Sequence, residues 1–333
     1  MLRISFTELS EALTRALVRL GFDPERAAQC ARLFAETTRD GVYSHGVNRF
    51  PRFVATIRNG CVNVHARPER VSGFGAIERW DGKLGPGNLN AYECMKRAIS
   101  LAREHGLGCV ALAHTNHWMR GGTYGWQAAD AGMIGMCWTN TLANLPPWGA
   151  SDVRLGNNPI SVAVPRPGGH VVLDMAMSQF SFGALEAYRT RGELLPVDGG
   201  FDLQGRLTRD PAAIEASNRA LSIGYWKGSG LSLLLDLTAA LLSGGLSAIH
   251  IPLDSVRESG LSQVFLAFNL PAVDTAAASA GMADEIVKFL QLPPGSRGER
   301  VRYPGERTLR LRHENTELGI PVEPRVWAEI QAI

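Results

Sequence analysis

Gly106-Leu107-Gly108-Cys109-Val110-Ala111 is the stretch whose reading decides the fold. In a Rossmann unit a glycine-rich turn follows a strand and opens a helix, whose amino end receives the pyrophosphate of a dinucleotide. Here the order is inverted: a helical pattern over 88–105 runs into Gly106, and the β-prone run Cys109 to Ala113 comes after it. Gly106 then reads as the left-handed residue that stops a helix. Any dinucleotide this chain holds is held without that fingerprint.

Outward from this junction, short β-prone runs alternate with helical ones. Strands are expected at Ala76 to Asp81, Ile134 to Thr139, Ile160 to Val164, Val171 to Met175 and Gln263 to Asn269, and helices at 121–131, 182–191, 228–243 and 274–290. The most apolar window, Leu231 to Ile251, contains Asp236, three serines and a Gly-Gly pair, so it predicts a buried helix and no membrane span. Before residue 75 the pattern is helical throughout. Ser5-Phe6-Thr7-Glu8 has the form of a capping box, and Phe6, Leu9, Leu13, Leu17 and Leu20 trace one face up to Gly21. Asp23 and Pro24 open a second helix that ends near Asp40-Gly41, and Phe50, Phe53, Val54 and Ile57 mark a third, stopping at Asn59-Gly60. Residues 1–74 therefore form a small helical unit, which the helical tail 304–333 rejoins, while 75–303 carries the sheet. Loops at Pro146 to Gly149, Pro165 to Gly169 and Pro196 to Gly205 are candidate rims of a cleft.

The 333 residues, 45% hydrophobic and 20% charged, can bury a substantial core, and 34 basic against 32 acidic side chains leave no charge reason for a nucleic-acid or membrane partner. Five scattered cysteines without a CxxC pair argue against a disulfide framework and for the reducing cytoplasm. The amino terminus turns acidic and helical too soon for a secretory signal.

Chemistry concentrates in Gly41-Val42-Tyr43-Ser44-His45-Gly46-Val47-Asn48-Arg49-Phe50-Pro51-Arg52, a turn between two helices. His45 is suited to exchange a proton near neutral pH, and Arg49 and Arg52 to grip a carboxylate. The implied substrate is a small acid. His114-Thr115-Asn116-His117 lacks the partners of a metal site, so no metal is expected; His117 is the site candidate, and His114 is as easily structural. Gly156-Asn157-Asn158-Pro159 and Trp226-Lys227-Gly228 are glycine-bearing loops that let backbone approach a ligand, with Lys227 at a helix start suited to a phosphate or a substrate oxygen. Asp174, at the end of an apolar strand, bonds either a ribose or a backbone turn.

Taken together, Tyr43 to Arg49, Asn116-His117-Trp118-Met119-Arg120-Gly121-Gly122, Gly156 to Pro159, Leu173 to Ser178, Tyr225 to Gly228 and Tyr303-Pro304-Gly305-Glu306-Arg307 resemble the type-2 malate/L-lactate dehydrogenase family nearly end to end. The resemblance implies an α+β protein: a small helical domain plus a larger non-Rossmann cofactor domain with a mostly antiparallel sheet. It implies a cytoplasmic homodimer that reduces a keto acid, a sugar acid in particular, with NADH or NADPH. It implies His45 as proton donor, helped by Ser44 and His117, and Arg49 and Arg52 at the substrate carboxylate. The cofactor segments would be His170, Val171, Val172, Leu173, Asp174, Met175 and Ala176, then Trp226 and Lys227, then Gly305, Glu306 and Arg307. Arg166-Pro167-Gly168-Gly169-His170 departs from the family pattern by an extra residue. Malate, lactate or ureidoglycolate is the rival substrate, and a catalytically silent binding protein the rival class.

Overall fold

The computed structural model describes residues 2–270, 276–291 and 300–333. In chain order the elements are β1 (Leu2–Ile4), α1 (Phe6–Arg19), α2 (Pro24–Arg39), α3 (Phe50–Arg58), β2 (Glu69–Phe74), β3 (Ile77–Asp81), α4 (Gly87–His105), β4 (Leu107–Thr115), α5 (Gly121–Asp130) and β5 (Ile134–Thr139). There follow β6 (Ala143–Leu145), β7 (Leu155–Gly156), β8 (Ile160–Val164), β9 (Val171–Met175), α6 (Phe182–Arg191), β10 (Gly200–Phe201), β11 (Leu207–Thr208) and α7 (Pro211–Ser217). The chain closes with α8 (Trp226–Ser243), β12 (Leu261–Phe268), α9 (Ala276–Leu290), α10 (Glu306–Leu318), β13 (Ile320–Val322) and α11 (Pro324–Gln331). The first two positions of the helix expected over 274–290 lie outside the described residues.

A seven-stranded sheet runs β2-β3-β4-β12-β5-β8-β9, with only the β3–β4 pair parallel. The α4–Gly106–β4 order is as the sequence implies: Gly106 caps α4 at φ +81° and the strand starts one residue later. Alternate residues of β4 feed two cores. Val110 and Leu112 pack with Met95, Tyr124 and Phe265 under α4 and α5, whereas Cys109 and Ala111 pack with Trp138, Leu235 and Ala239 under α8. The sheet is thus a middle layer between helices.

A separate cluster gathers Leu9, Leu13 and Leu17 of α1, Phe34 of α2 and Phe50 and Phe53 of α3 with Trp327 and Ile330 of α11. Burial of each such side chain contributes roughly 1.5–3 kcal/mol. The Ser5 hydroxyl accepts the Glu8 amide at 3.1 Å and starts α1, as the capping box predicts. Asp23 makes no such cap bond; its carboxylate instead lies near Arg26 and Arg67. β13 pairs with β1, returning the tail to the first residues of the chain.

Two further expectations need correction. The sheet begins at Glu69, not at 75, because β2 forms an edge strand whose six residues are all exposed and so lack the alternation of a half-buried strand. α8 is not buried. Its small and polar residues Ser232, Asp236 and Ser243 face inward, where Asp236 accepts from Asn140 and from the Ala248 amide, while Leu233, Leu234, Leu237 and Leu241 are 47%, 57%, 43% and 70% exposed. The apolar count of α8 is high because the core takes one face and solvent is left the other.

Candidate active site

The turn after α2 is built by one threonine and one glycine. Thr38 Oγ1 donates to the Phe34 carbonyl and accepts the Val47 amide at 2.9 Å, pinning the turn onto the helix. A Cβ on Gly46 would lie 2.4 Å from that hydroxyl oxygen, so only glycine lets the chain pass. The two 3₁₀ turns that follow, Tyr43–His45 and Val47–Arg49, present His45 and Arg49.

His45 Nδ1 lies 3.1 Å from Ser44 Oγ, and its ring stacks on His117 with centroids 6.0 Å apart and planes 18° from parallel. His117 arrives from the far side of the site, on the loop between β4 and α5. Its Nδ1 accepts the Met119 amide at 3.1 Å, so the neutral ring carries its proton on Nε2. Met119 is held at φ +67° to make that bond, a costly conformation for a side chain of this size. Asn116 and Asp40 fix the surroundings. Asn116 donates to the carbonyls of Cys61, Leu84 and Gly85, and Asp40 accepts from Arg120 at 2.7 Å and from Arg312 at 2.7 and 2.8 Å. Burial works against the charge of Asp40, but these guanidiniums outweigh it and hold the carboxyl below its usual range.

The two arginines of the turn differ. Arg52 donates to the Ser255 carbonyl and lies 3.7 Å from the buried carboxylate of Glu258, which also accepts the Leu142 amide. Arg49 has no hydrogen-bond or ion-pair partner among the described residues, although burial and Arg52 lower it to about 10, against the pull of Glu258. It remains charged at neutral pH. Desolvation, then Arg49, Arg120 and Arg52, push His45 down to about 4, and burial, then Arg49, His45 and Arg52, push His117 down as well. The expectation of a His45 that titrates near neutrality in the free protein is therefore corrected: both rings are neutral at pH 7. The pocket between Arg49, Arg52, His117 and Glu258 is narrow, about 20 Å³. A larger cavity of about 380 Å³ lies where α2, α5 and α10 meet, but its Arg120 and Arg312 are committed to Asp40.

The three expected cofactor segments divide. The Val172 amide donates to the Pro304 carbonyl, and a Cβ on Gly305, at φ +96°, would lie 3.1 Å from the His170 carbonyl and the Val172 amide, so β9 and the start of α10 form one cradle. One buried oxygen of Glu306 has no partner among the described residues, the other pairs with Arg300 at 2.7 Å, and Arg307 is exposed. Leu173 is 39% exposed beside it, while Val172 is buried and Val171 half-buried. Trp226 and Lys227 stand beyond the other end of the strand: past Met175 and Ala176, Met177 accepts the Ile223 amide, and α8 begins three residues later. Tyr225 is strained there at φ +58°, and Trp226 is 65% exposed. Asp174 bonds the Gly122 amide, yet its side chain is 28% exposed, which leaves room for a second partner. These groups fit a dinucleotide laid along β9: an open indole, a carboxylate oxygen without a partner among the described residues and a glycine cradle. His170 does not face that cradle with its ring, which bonds Asp130 and the Arg166 amide and packs on Trp126. His114 is outside the site, paired with Asp81.

Of the three loops expected as rims, Trp148 of the first meets Tyr225, while the second packs on α10 through Gly169 and Leu309 and the third belongs to the arm around Leu185, Leu195 and Ile214. That arm also reaches the site, since a Cβ on Gly183 would touch Ser44 at 3.5 Å. Sequence reasoning missed Glu258, which stands in Ser255-Val256-Arg257-Glu258 with no patterned neighbour to mark it.

The malate/L-lactate dehydrogenase family model matches residues 4–331. The chain belongs to that family. It is therefore an oxidoreductase acting on CH–OH groups, with a nicotinamide cofactor. It is 47% identical over 333 residues, the whole of both chains, to a protein of Citrobacter koseri named 2,3-diketo-L-gulonate reductase. Among solved structures it is similar to malate dehydrogenase from Pyrococcus horikoshii (27% identity, 98% of this chain and 93% of that one, TM-score 0.89). It is also similar to sulfolactate dehydrogenase from Methanocaldococcus jannaschii (25% identity, 99% and 96%, TM-score 0.92).

Proposed function

We propose that this dehydrogenase-family member uses NADH, with NADPH as the alternative donor, to reduce 2,3-diketo-L-gulonate to 3-dehydro-L-gulonate. The observation that carries the reading is the Arg49 guanidinium, without a partner among the described residues, beside two stacked neutral imidazoles, one of them fixed as an Nε2–H donor. Full-length likeness to proteins named for that reaction supplies the substrate. Reduction of a ketone needs a hydride, which the reduced nicotinamide supplies when bound, and a proton for the oxygen. In this reading Arg49, with the field of Arg52 behind it, holds the carboxylate next to the ketone. His117 hydrogen-bonds the carbonyl oxygen, and His45, aimed by Ser44, delivers the proton. Burial first, and then the field of the arginines, keep His45 neutral; a carboxylate beside Arg49 offsets the second of these, so substrate binding favours loading the proton.

The cofactor in this reading lies along Val171 to Ala176, between Trp226-Lys227 and Gly305-Glu306-Arg307. The helical cluster of residues 1–68 and 304–333 acts as one unit that carries His45 to the cofactor. The exposed leucine face of α8 is what a homodimer would cover, and five unpaired thiols suit a reducing cytoplasm. A panel of 2-keto acids, each with NADH and with NADPH, tests the assignment through loss of reduced-nicotinamide absorbance. Faster turnover of oxaloacetate, pyruvate or oxalurate, the oxidised form of ureidoglycolate, than of 2,3-diketo-L-gulonate would favour the rival substrates.

A further inference from the structure

The family's name spans malate, a dicarboxylate, and lactate, a monocarboxylate, so some feature of each member must choose between one anionic group and two. We propose that Glu258 makes that choice here, fixing the site for keto acids with a single negative charge. The inference rests on the proposed keto-acid reduction and adds its charge class.

The argument is a balance of the groups that line the pocket. Arg49 and Arg52 bring two positive charges, and Glu258 removes one, lying 3.7 Å from Arg52 with its other oxygen on the Leu142 amide. Burial raises Glu258, while the Leu142 amide and both guanidiniums act against that rise, and its place 3.7 Å from Arg52 is that of an ion-pair partner. His45 and His117 are neutral, Arg120 lies outside the pocket lining between Asp40 and Asp174, and Asp254 stands at the solvent edge beside Arg257. One net positive charge remains, on Arg49. The rest of the lining offers no further cation for a second carboxylate, only the neutral Ser255 hydroxyl. Phe53, Val62 and Met119 are apolar, Thr56 donates to the Phe53 carbonyl, and the Asn116 amide is bound on both sides. A second anionic group would meet that apolar wall or the Glu258 carboxylate itself, and like charges in a site of low dielectric repel strongly.

Glu258→Gln keeps an oxygen to accept the Leu142 amide and removes only the charge, which separates electrostatics from packing. The experiment compares 2-oxobutyrate with oxaloacetate, two four-carbon 2-keto acids, by kcat/KM with NADH. The same proteins loaded with NADH are then titrated calorimetrically with 2-hydroxybutyrate and malate, which bind without turnover. The wild type should favour the monocarboxylate of each pair at least tenfold, and Glu258→Gln should shift both ratios towards the dicarboxylate by roughly tenfold, with Glu258→Asp restoring the wild-type order. A wild-type preference for the dicarboxylates overturns the inference, and this comparison needs no variant. So does a variant that weakens both members of each pair equally, since a merely structural Glu258 would do that. If the wild type turns over no keto acid but its calorimetric preference is as expected and shifts in the variant, the charge selection stands and the proposed reaction falls.

Discussion

At the scale of single residues, the site is governed by how few of its charges are free. His45 is pushed down to about 4 in the ligand-free protein, so kcat/KM for reduction should fall tenfold per pH unit from about pH 4 upward, while oxidation, which needs the neutral ring, should level off above it. Keto-acid binding at pH 7 should take up a proton, measurable as a buffer-dependent heat in calorimetry; an uptake of zero would remove His45 as the acid. His45→Gln should lose roughly 10²- to 10⁴-fold in rate with the fold and cofactor affinity kept. Stability should follow the same ring. Because the folded pKa lies below the ordinary 6.5, the unfolded chain binds the proton first, and stability present above 6.5 is lost as pH falls towards 4. The two arginines should separate in a mutant pair. Arg49→Met should raise KM for the acid by a truncated-pair cost of about 2–5 kcal/mol and leave the melting temperature nearly unchanged. Arg52→Met should lower the melting temperature, because it strands the buried Glu258 carboxylate.

At the scale of elements, α8 joins two tasks, and its ends and its face test them apart. Trp226→Ala should weaken NADH binding without changing the melting temperature, since the indole is 65% exposed and holds up nothing else. Leu234→Glu with Leu241→Glu should turn a dimer into a monomer on analytical ultracentrifugation; an unchanged sedimentation coefficient would place the interface elsewhere. The same helix marks where sequence reading stops. α1 and α2 were legible to within a residue because a box of Ser5 and Glu8 and a proline at the first turn act over three or four positions. Gly106 was legible for the same reason. Whether α8 meets its own core or open surface depends on Ser232 and Asp236 finding partners at Gly156, Asn158 and Asn140, 70 or more residues away, which no local pattern reveals. β2 escaped because Val71 and Phe74 are three apart and both exposed, so they trace no strand face. In the site, His45 and Arg49 were visible as a polar run between glycines, whereas Glu258 acts only through a neighbour, Arg52, brought to it by folding.

For the whole molecule, Asp40 is the joint. It binds Arg120 at the start of α5 and Arg312 of α10 from the end of α2, so one carboxylate ties the helical cluster to the sheet and to the tail. Asp40→Asn should destabilise by about 3–5 kcal/mol, the usual result of breaking a buried ionic cluster on one side, read as a lower urea midpoint. The contribution of Asp40 should persist above the ordinary carboxylate pKa and disappear as pH falls through its depressed value. The pairing of β1 with β13 has a consequence in time. Arg3 bonds Asn315, 312 residues further along the chain, and Ile4 lies opposite Ile320. At about 5–20 residues per second, a ribosome needs roughly 15–60 s to make that span. For all of that interval the first helices, which carry His45 and Arg49, lack the strand and the Trp327 face that complete their core. The earliest part of the active site to be synthesised is among the last to become rigid, so nascent chains of this enzyme depend on their helices staying unaggregated until the tail arrives.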